Sequence, residues 1–195
     1  MIDFVRHGQT AHNRDGLLQG RVDLELSERG LAQAERVASR YAGASVARVV
    51  SSPLRRARQT AAAIAAVTGC DVEIDERLLE LDYGEWDGRP LGEIAPEQWA
   101  AWRADPNFAP PGGESLVAVT ARVAAFCAER LDADDRVVAV SHVSPIKAAV
   151  AWALGVPEGV TFRMQLGLAS ITTVGARPDG AGYLLSFNDS AHLAE

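Results

Sequence analysis

Cysteine is scarce: Cys70 and Cys127 are the only two in 195 residues, and they lack the short spacing of a zinc site or a redox pair. Both are expected to be reduced and packed as small apolar side chains. No apolar stretch approaches the roughly 20 residues needed to span a bilayer. Met1 is followed almost at once by a strand, so no signal peptide is expected and the chain is placed in the cytoplasm. Lysine is nearly missing as well, since Lys147 is the only one among 19 basic residues. An arginine near a motif therefore carries little weight by itself, and its position has to decide. Neither G-x-x-x-x-G-K nor G-x-S-x-G occurs. A P-loop kinase is thereby excluded, and Ser141 and Ser144 are not read as a serine hydrolase site. Positive charge is in deficit too: a net charge of -7 argues against nucleic acid or an anionic membrane as partner. An anionic substrate must be attracted locally.

With 48% apolar residues the chain is not disordered, and its length suits one domain over residues 1–195, with a lid-like insertion at about 90–113. Asn13 to Gly20 reads as an irregular loop. Ser27 is placed to cap a helix with Leu31, Ala34, Ala38 and Tyr41 on one face. The alanine-rich stretch from Arg55 to Val67 is a second helix, stopped at Gly69. Val72 to Ile74 is a short strand. The segment from Pro90 to Gly113 carries five prolines and is read as an excursion over the sheet edge, with Trp99 and Trp102 packing a short helix against the body. Ser115 opens a helix to about Leu131, and Pro145 suits the first turn of another that ends near Gly155. Ala169 to Val174 and Tyr183 to Phe187 are two late strands around the turn-rich Arg177 to Gly180. Strand and helix otherwise alternate. The expected fold is α/β, with a mostly parallel central sheet and helices on both faces.

Three apolar runs end in polar residues suited to chemistry. Ile2 to Val5 is followed by Arg6-His7-Gly8-Gln9-Thr10, Arg48 to Val50 by Ser51-Ser52-Pro53 and then Arg55-Arg56-Ala57, and Val137 to Val140 by Ser141-His142. If these strands are parallel, their carboxyl ends share one sheet edge, where open α/β sheets bind ligands. Two histidines and several arginines then meet around a pocket suited to a phosphoryl group. A neutral His7 can attack phosphorus, Arg6 and Arg56 offer planar forks, and the backbone N–H groups after His7 and His142, those of Gly8 and Val143, add donors. His142, protonated or donating from one nitrogen, completes the cradle. Loss of one such donor costs about 3 kcal/mol of transition-state stabilisation. Phosphoryl transfer also needs an acid for the leaving oxygen, a carboxyl kept partly protonated by burial or by an adjacent carboxylate. Glu80 is the first candidate and Asp82 the second. No metal is expected: a site of His7, His142 and Asp3 would have to form among arginines that repel the ion. His12 and His192 lack such context and are read as surface residues. Arg55 and Arg58 are read as a solvated face or rim.

Val5-Arg6-His7-Gly8-Gln9-Thr10 resembles the R-H-G-[EQ]-[ST] signature of the histidine phosphatase superfamily, which includes phosphoglycerate mutases and α-ribazole phosphatase. The likeness continues through Asn13, Gln19-Gly20 and Asp23 to Gly30, Ser52-Pro53-Leu54-Arg55-Arg56-Ala57, Leu79-Glu80 with Tyr83 to Gly88, and Pro111 to Ser115. It implies a phosphoglycerate mutase-like fold, with His7 as the phosphorylated nucleophile and Glu80 as the proton donor. Arg6, Arg56 and His142 are then phosphate ligands, Asn13 and Gln19 are further contacts, and no cofactor is needed. The resemblance also selects Arg56 over Arg55 and Arg58. One departure stands out: Val143-Ser144 replaces the Gly-Gly of many members and adds bulk beside the phosphate. The expected activity is hydrolysis of a small phosphorylated metabolite. Gln9 and the short chain favour hydrolysis over phosphoglycerate mutase activity, because mutases carry further segments that close off water. Mutase activity is the second reading, and a non-catalytic phosphate-recognising module is the third.

Overall fold

A computed structural model describes residues 1–131, 135–177 and 179–194. Six strands, β1 (Ile2–Arg6), β2 (Arg48–Ser51), β3 (Val72–Ile74), β4 (Val137–Ser141), β5 (Ile171–Ala176) and β6 (Gly182–Asp189), form one sheet in the order β3-β2-β4-β1-β5-β6. The first four strands in that order are mutually parallel, and β5 and β6 extend the sheet antiparallel. Val140 lies opposite both Val5 and Ser51, so β1, β2 and β4 stop level with one another. The residues that follow them emerge on one rim.

Alternation along the central strands divides the core in two, as the two-residue period of a strand requires. Ile2, Phe4, Val137 and Ala139 enter one cluster, and Val5, Val138 and Val140 enter the other. Six α-helices lie among the described residues, in chain order α1 (Ala11–Asp15), α2 (Glu28–Ser39), α3 (Arg55–Thr68), α4 (Pro96–Ala104), α5 (Leu116–Arg130) and α6 (Val143–Leu154). Val37, Ala57 and Ile64 of α2 and α3 cover the second cluster, while Val119, Phe126 and Ile146 of α5 and α6 cover the first. Both sheet faces therefore carry helices.

Several expectations shift by a residue or a turn. Ser27 does cap α2, its Oγ accepting the Gly30 N–H at 3.1 Å, but Leu31 is 46% exposed. The buried face runs through Gly30, Ala34, Val37 and Ala38 instead, and Tyr41 is buried just beyond the helix end. Asn13 lies inside α1 and not in a loop. Five residues are too few to show apolar periodicity, and this helix is held by its ends: Thr10 Oγ1 accepts the Asn13 N–H, and the Asn13 carbonyl oxygen Oδ1 accepts the Thr10 N–H at 3.1 Å. The segment from 90 to 113 is more than an excursion, since Ile94 and Trp102 insert into the first cluster beside Trp86. In the late hairpin, β5 lies two residues later than expected, and β6 begins one residue earlier and ends two later. Within its turn, Pro178 lies outside the described residues.

Candidate active site

His7 directly follows β1. Its N–H donates to the Ser141 carbonyl at 3.1 Å, and its own carbonyl accepts from Ala169, so the backbone is strapped between β4 and the approach to β5. His7 Nδ1 lies 2.7 Å from the Gly8 carbonyl, which can only accept, so Nδ1 carries the hydrogen and Nε2 keeps its lone pair. Burial first, and then the charges of Arg56 and Arg6, hold the imidazole well below its ordinary value of 6.5. His7 is therefore neutral at pH 7, with a basic nitrogen available.

Gly8 serves this turn by its size. A Cβ on Gly8 would stand 2.4 Å from the Gly30 carbonyl oxygen, and one on Gly30 would stand 2.1 Å from that of Gln9. The loop after His7 thus lies directly on the first turn of α2. The Gly8 N–H donates to Thr60 Oγ1 at 3.2 Å, and so is bonded within the protein and not turned to an anion.

Behind His7 sits a second buried unit. Arg56 is completely buried, with Nε donating to His142 Nδ1 at 3.2 Å, Nη1 to the Val22 carbonyl at 2.8 Å and Nη2 to the Gly20 carbonyl at 2.7 Å. A donor on Nδ1 requires that the His142 hydrogen be on Nε2, where it donates to Ser52 Oγ at 2.8 Å. Both ring nitrogens are thus engaged. Burial, and next the Arg56 charge, push His142 well below its ordinary value, so the protonated form is replaced by a neutral one. The two imidazole rings lie 5.1 Å apart. Arg6 and Arg56 are each drawn down by burial to about 10, and both remain cationic at neutral pH.

Glu80 is buried at the mouth of α6. Its carboxylate accepts the N–H groups of Val143 at 2.9 Å and Ser144 at 3.0 Å, together with that of Leu81 at 2.8 Å. Free donors in the first turn of a helix favour an acidic partner there, and Glu80 supplies it. The expected role of the Val143 N–H changes accordingly: it positions the carboxylate and not the phosphate. Ser141 Oγ ties the Leu78 carbonyl to β4 at 2.7 Å, and Arg21 Nε holds the Glu80 carbonyl at 2.9 Å. Asp82 instead accepts the Gly84 N–H at 2.9 Å and has no place in the cavity wall.

A cavity of about 580 Å³ opens here, lined by Arg6, His7, Asn13, Gln19, Glu80, Tyr83, Val143 and Lys147, among others. Arg56 and His142 are not in its wall; they stand behind His7. Asp87 fastens the loop that carries Gln19 by accepting the N–H groups of Gly20, Arg21 and Val22 at 2.7, 2.7 and 2.8 Å. Gln19 Oε1 receives the Thr10 hydroxyl at 2.7 Å, but Gln19 Nε2 and Arg6 Nε are buried without a hydrogen-bond partner. Unpartnered buried donors are costly, at about 1–3 kcal/mol each, and an oxyanion in this cavity would satisfy them. Lys147 was not among the sequence candidates. The only hint was that it is the single lysine in an arginine-rich chain, one turn beyond Val143. His192 was read as a surface residue, yet it is only partly exposed and its Nε2 lies 2.8 Å from the Ala169 carbonyl. Arg55 is 60% exposed and pairs with Asp23, on a solvated face as expected.

The profile of the histidine phosphatase superfamily (branch 1) matches residues 2–190. The chain belongs to this superfamily. Among histidine phosphatase relatives, glucosyl-3-phosphoglycerate phosphatase of Mycobacterium tuberculosis is 40% identical over 167 residues, covering 79% of this chain and 75% of that one. A bifunctional protein of the same organism is 36% identical over 196 residues, covering 97% of this chain, which spans only 54% of that relative's length. The crystal structure of phosphoserine phosphatase from Entamoeba histolytica in complex with 3-phosphoglyceric acid superposes with a TM-score of 0.91 at 30% identity, covering 99% of this chain and 98% of that one. The phosphoglycerate mutase-like architecture of the histidine phosphatases is thus the architecture of this chain. Among the described residues, no helix is long and apolar enough to cross a membrane, and no group of three or more His, Cys, Asp or Glu residues is placed to hold a metal ion.

Proposed function

We propose that the chain is a metal-independent phosphatase that hydrolyses small phosphate monoesters through a phosphohistidine on His7. One observation carries this reading: His7 Nδ1 is committed to the Gly8 carbonyl, which leaves a neutral Nε2 lone pair in a cavity whose buried donors lack acceptors. In the first step Nε2 bonds to phosphorus, the P–O bond to the organic group breaks, and Glu80 gives its proton to the departing oxygen. Water then loses a proton to Glu80 and attacks phosphorus, the P–N bond breaks, and inorganic phosphate leaves. Two displacements replace one difficult one. Arg6, Asn13 and Gln19 hold the phosphoryl oxygens. Arg56 and His142 act from behind: the Arg56 charge helps to hold both imidazoles neutral, its bond to Nδ1 fixes the His142 tautomer, and the remaining Arg56 N–H groups reach the phosphoryl group once it is on His7.

The phosphatase names of the glucosyl-3-phosphoglycerate and phosphoserine relatives support hydrolysis of a small phosphorylated metabolite. We read residues 1–195 as a single histidine phosphatase domain, with the segment at about 90–113 covering the substrate as a lid. Free Cys70 and Cys127 support a reducing compartment, the cytoplasm. Phosphate release from a panel of monoesters, with His7→Ala as the blank, tests the proposal. Wild-type protein should turn over several esters, and His7→Ala should lose about four orders of magnitude or more. Faster interconversion of 2- and 3-phosphoglycerate than phosphate release would make the chain a mutase instead.

A further inference from the structure

Glu80 is held at two ends. Its carboxylate rests on the first turn of α6, but its backbone belongs to residues 79–83, which form neither helix nor strand. No ladder fixes this stretch, so its carbonyl groups have to find other partners. Arginine side chains supply them at the proton donor itself. Arg21 Nε donates to the Glu80 carbonyl at 2.9 Å. Arg122, on α5, donates from Nη1 to the Arg77 carbonyl at 2.6 Å and from Nη2 to the Glu80 carbonyl at 3.4 Å. Two guanidinium groups thus converge on one backbone oxygen.

Like charges so placed repel unless an anion joins them. Glu114 is that anion. Its Oε1 accepts Arg122 Nε at 2.9 Å, and its Oε2 accepts Arg122 Nη2 at 3.0 Å and Arg21 Nη2 at 3.4 Å. Among the described residues neither arginine has another ion-pair partner. The side chains of Glu114 and Arg122 are each only 17% exposed, so this two-pronged pairing is largely screened from water. Burial raises the Glu114 carboxyl, but Arg122 and then Arg21 outweigh it and hold the group below its ordinary value. The Glu114 backbone takes part as well, its N–H donating to the Asp82 carbonyl at 2.8 Å. A Cβ on Gly113 would stand 2.4 Å from that same oxygen, so the chain entering Glu114 is pressed onto the segment that carries Glu80. Helix-start chemistry accounts for the neighbouring Ser115, whose Oγ accepts the Ala118 N–H at 3.2 Å, but not for the glutamate.

We propose that Glu114 is a positioning residue for the proton donor: by gathering Arg21 and Arg122 on the Glu80 carbonyl, it sets how the Glu80 carboxyl meets the leaving oxygen. The proposal rests on the phosphatase reading above. Its consequence is selective, because a placed acid matters only where the leaving oxygen needs a proton. An alkoxide needs one, and p-nitrophenolate does not.

Glycerol 2-phosphate and p-nitrophenyl phosphate therefore separate a misplaced acid from a general loss of structure. In kcat/KM, which follows formation of the phosphohistidine, Glu114→Gln should lose about tenfold or more on the alkyl ester relative to the nitrophenyl ester. Glu114→Asp, which keeps the charge, should recover part of that ratio. Arg122→Lys keeps its charge but loses the fork, and should move the ratio in the same direction as Glu114→Gln; it carries the test if Glu114→Gln does not fold. Glu129→Gln, which takes an exposed carboxylate from the neighbouring Arg77, should leave the ratio at the wild-type value. Equal losses on both esters in Glu114→Gln and Arg122→Lys, or as large a change of ratio in Glu129→Gln, overturn the proposal. A second readout needs no turnover. The Val143 and Ser144 amides have the Glu80 carboxylate as acceptor, so their hydrogen exchange should quicken about tenfold in Glu114→Gln. Faster exchange in a protein whose wild type releases no phosphate keeps the positioning role and ends the phosphatase reading. Turnover with neither the exchange nor the ester ratio altered does the reverse.

Discussion

Arg56 shows how much one side chain is asked to do. Three of its N–H groups go to three separate acceptors, two on the backbone of the loop after Gln19 and one on His142. A lysine has one point of charge and cannot span them, so Arg56→Lys leaves buried acceptors unpaired. The expected cost is about 3 kcal/mol in urea unfolding, with a parallel fall in kcat, whereas Arg55→Lys on the exposed side should stay within about 0.5 kcal/mol. Equal effects at the two positions would contradict the arrangement. Sequence reasoning could place an arginine near this point but could not select which, because Arg55, Arg56 and Arg58 all begin one helix; the family resemblance made that choice. His7 was legible because it follows an apolar run, whereas Glu80 and Asp82 share the same apolar surroundings and the resemblance chose between them. The tautomers were not, since they depend on acceptors from Gly8 and Ser52 that only the folded chain brings near.

At the scale of elements, the starts of α2, α3 and α5 were legible from Ser27, Arg55 and Ser115, and so were the strand ends that form the site. The sheet edge could be read directly from three apolar runs, and the level register of β1, β2 and β4 turns that edge into a rim. The first turn of α6 was expected to face the anion with its N–H groups, yet Glu80 from a distant loop takes two of them. No local pattern announces such a contact, which spans more than sixty residues of chain. Helix α1 was missed for a related reason: its stability lies in reciprocal capping by Thr10 and Asn13, with no apolar face. The segment at 90–113 was visible through its prolines. Its depth in the core was not, because Trp102 is held by aromatic neighbours remote in sequence.

Across the whole molecule, a net charge of -7 surrounds a site that gathers Arg6, Arg56 and Lys147 against one buried carboxylate, Glu80. Attraction of a phosphate ester is therefore local. The same burial makes stability depend on pH. His7 and His142 are held well below 6.5 in the folded state, so below that pH the unfolded chain binds protons that the native one does not. Stability is full above about pH 6.5 and declines as pH falls, by up to about 1.4 kcal/mol per pH unit for each histidine. Urea titrations at pH 7.5, 6.5 and 5.5 should show this loss in the wild type and much less of it in His7→Gln/His142→Gln; identical slopes would assign the effect to other groups. The central claim, that His7 Nε2 accepts the phosphoryl group, is tested most directly by rapid quench of the protein with a ³²P-labelled monoester followed by peptide mapping. Acid-labile, alkali-stable label on the peptide that contains His7, formed and lost at the rate of turnover, is the predicted result. Phosphate release without label at His7, or label on another residue, would contradict it.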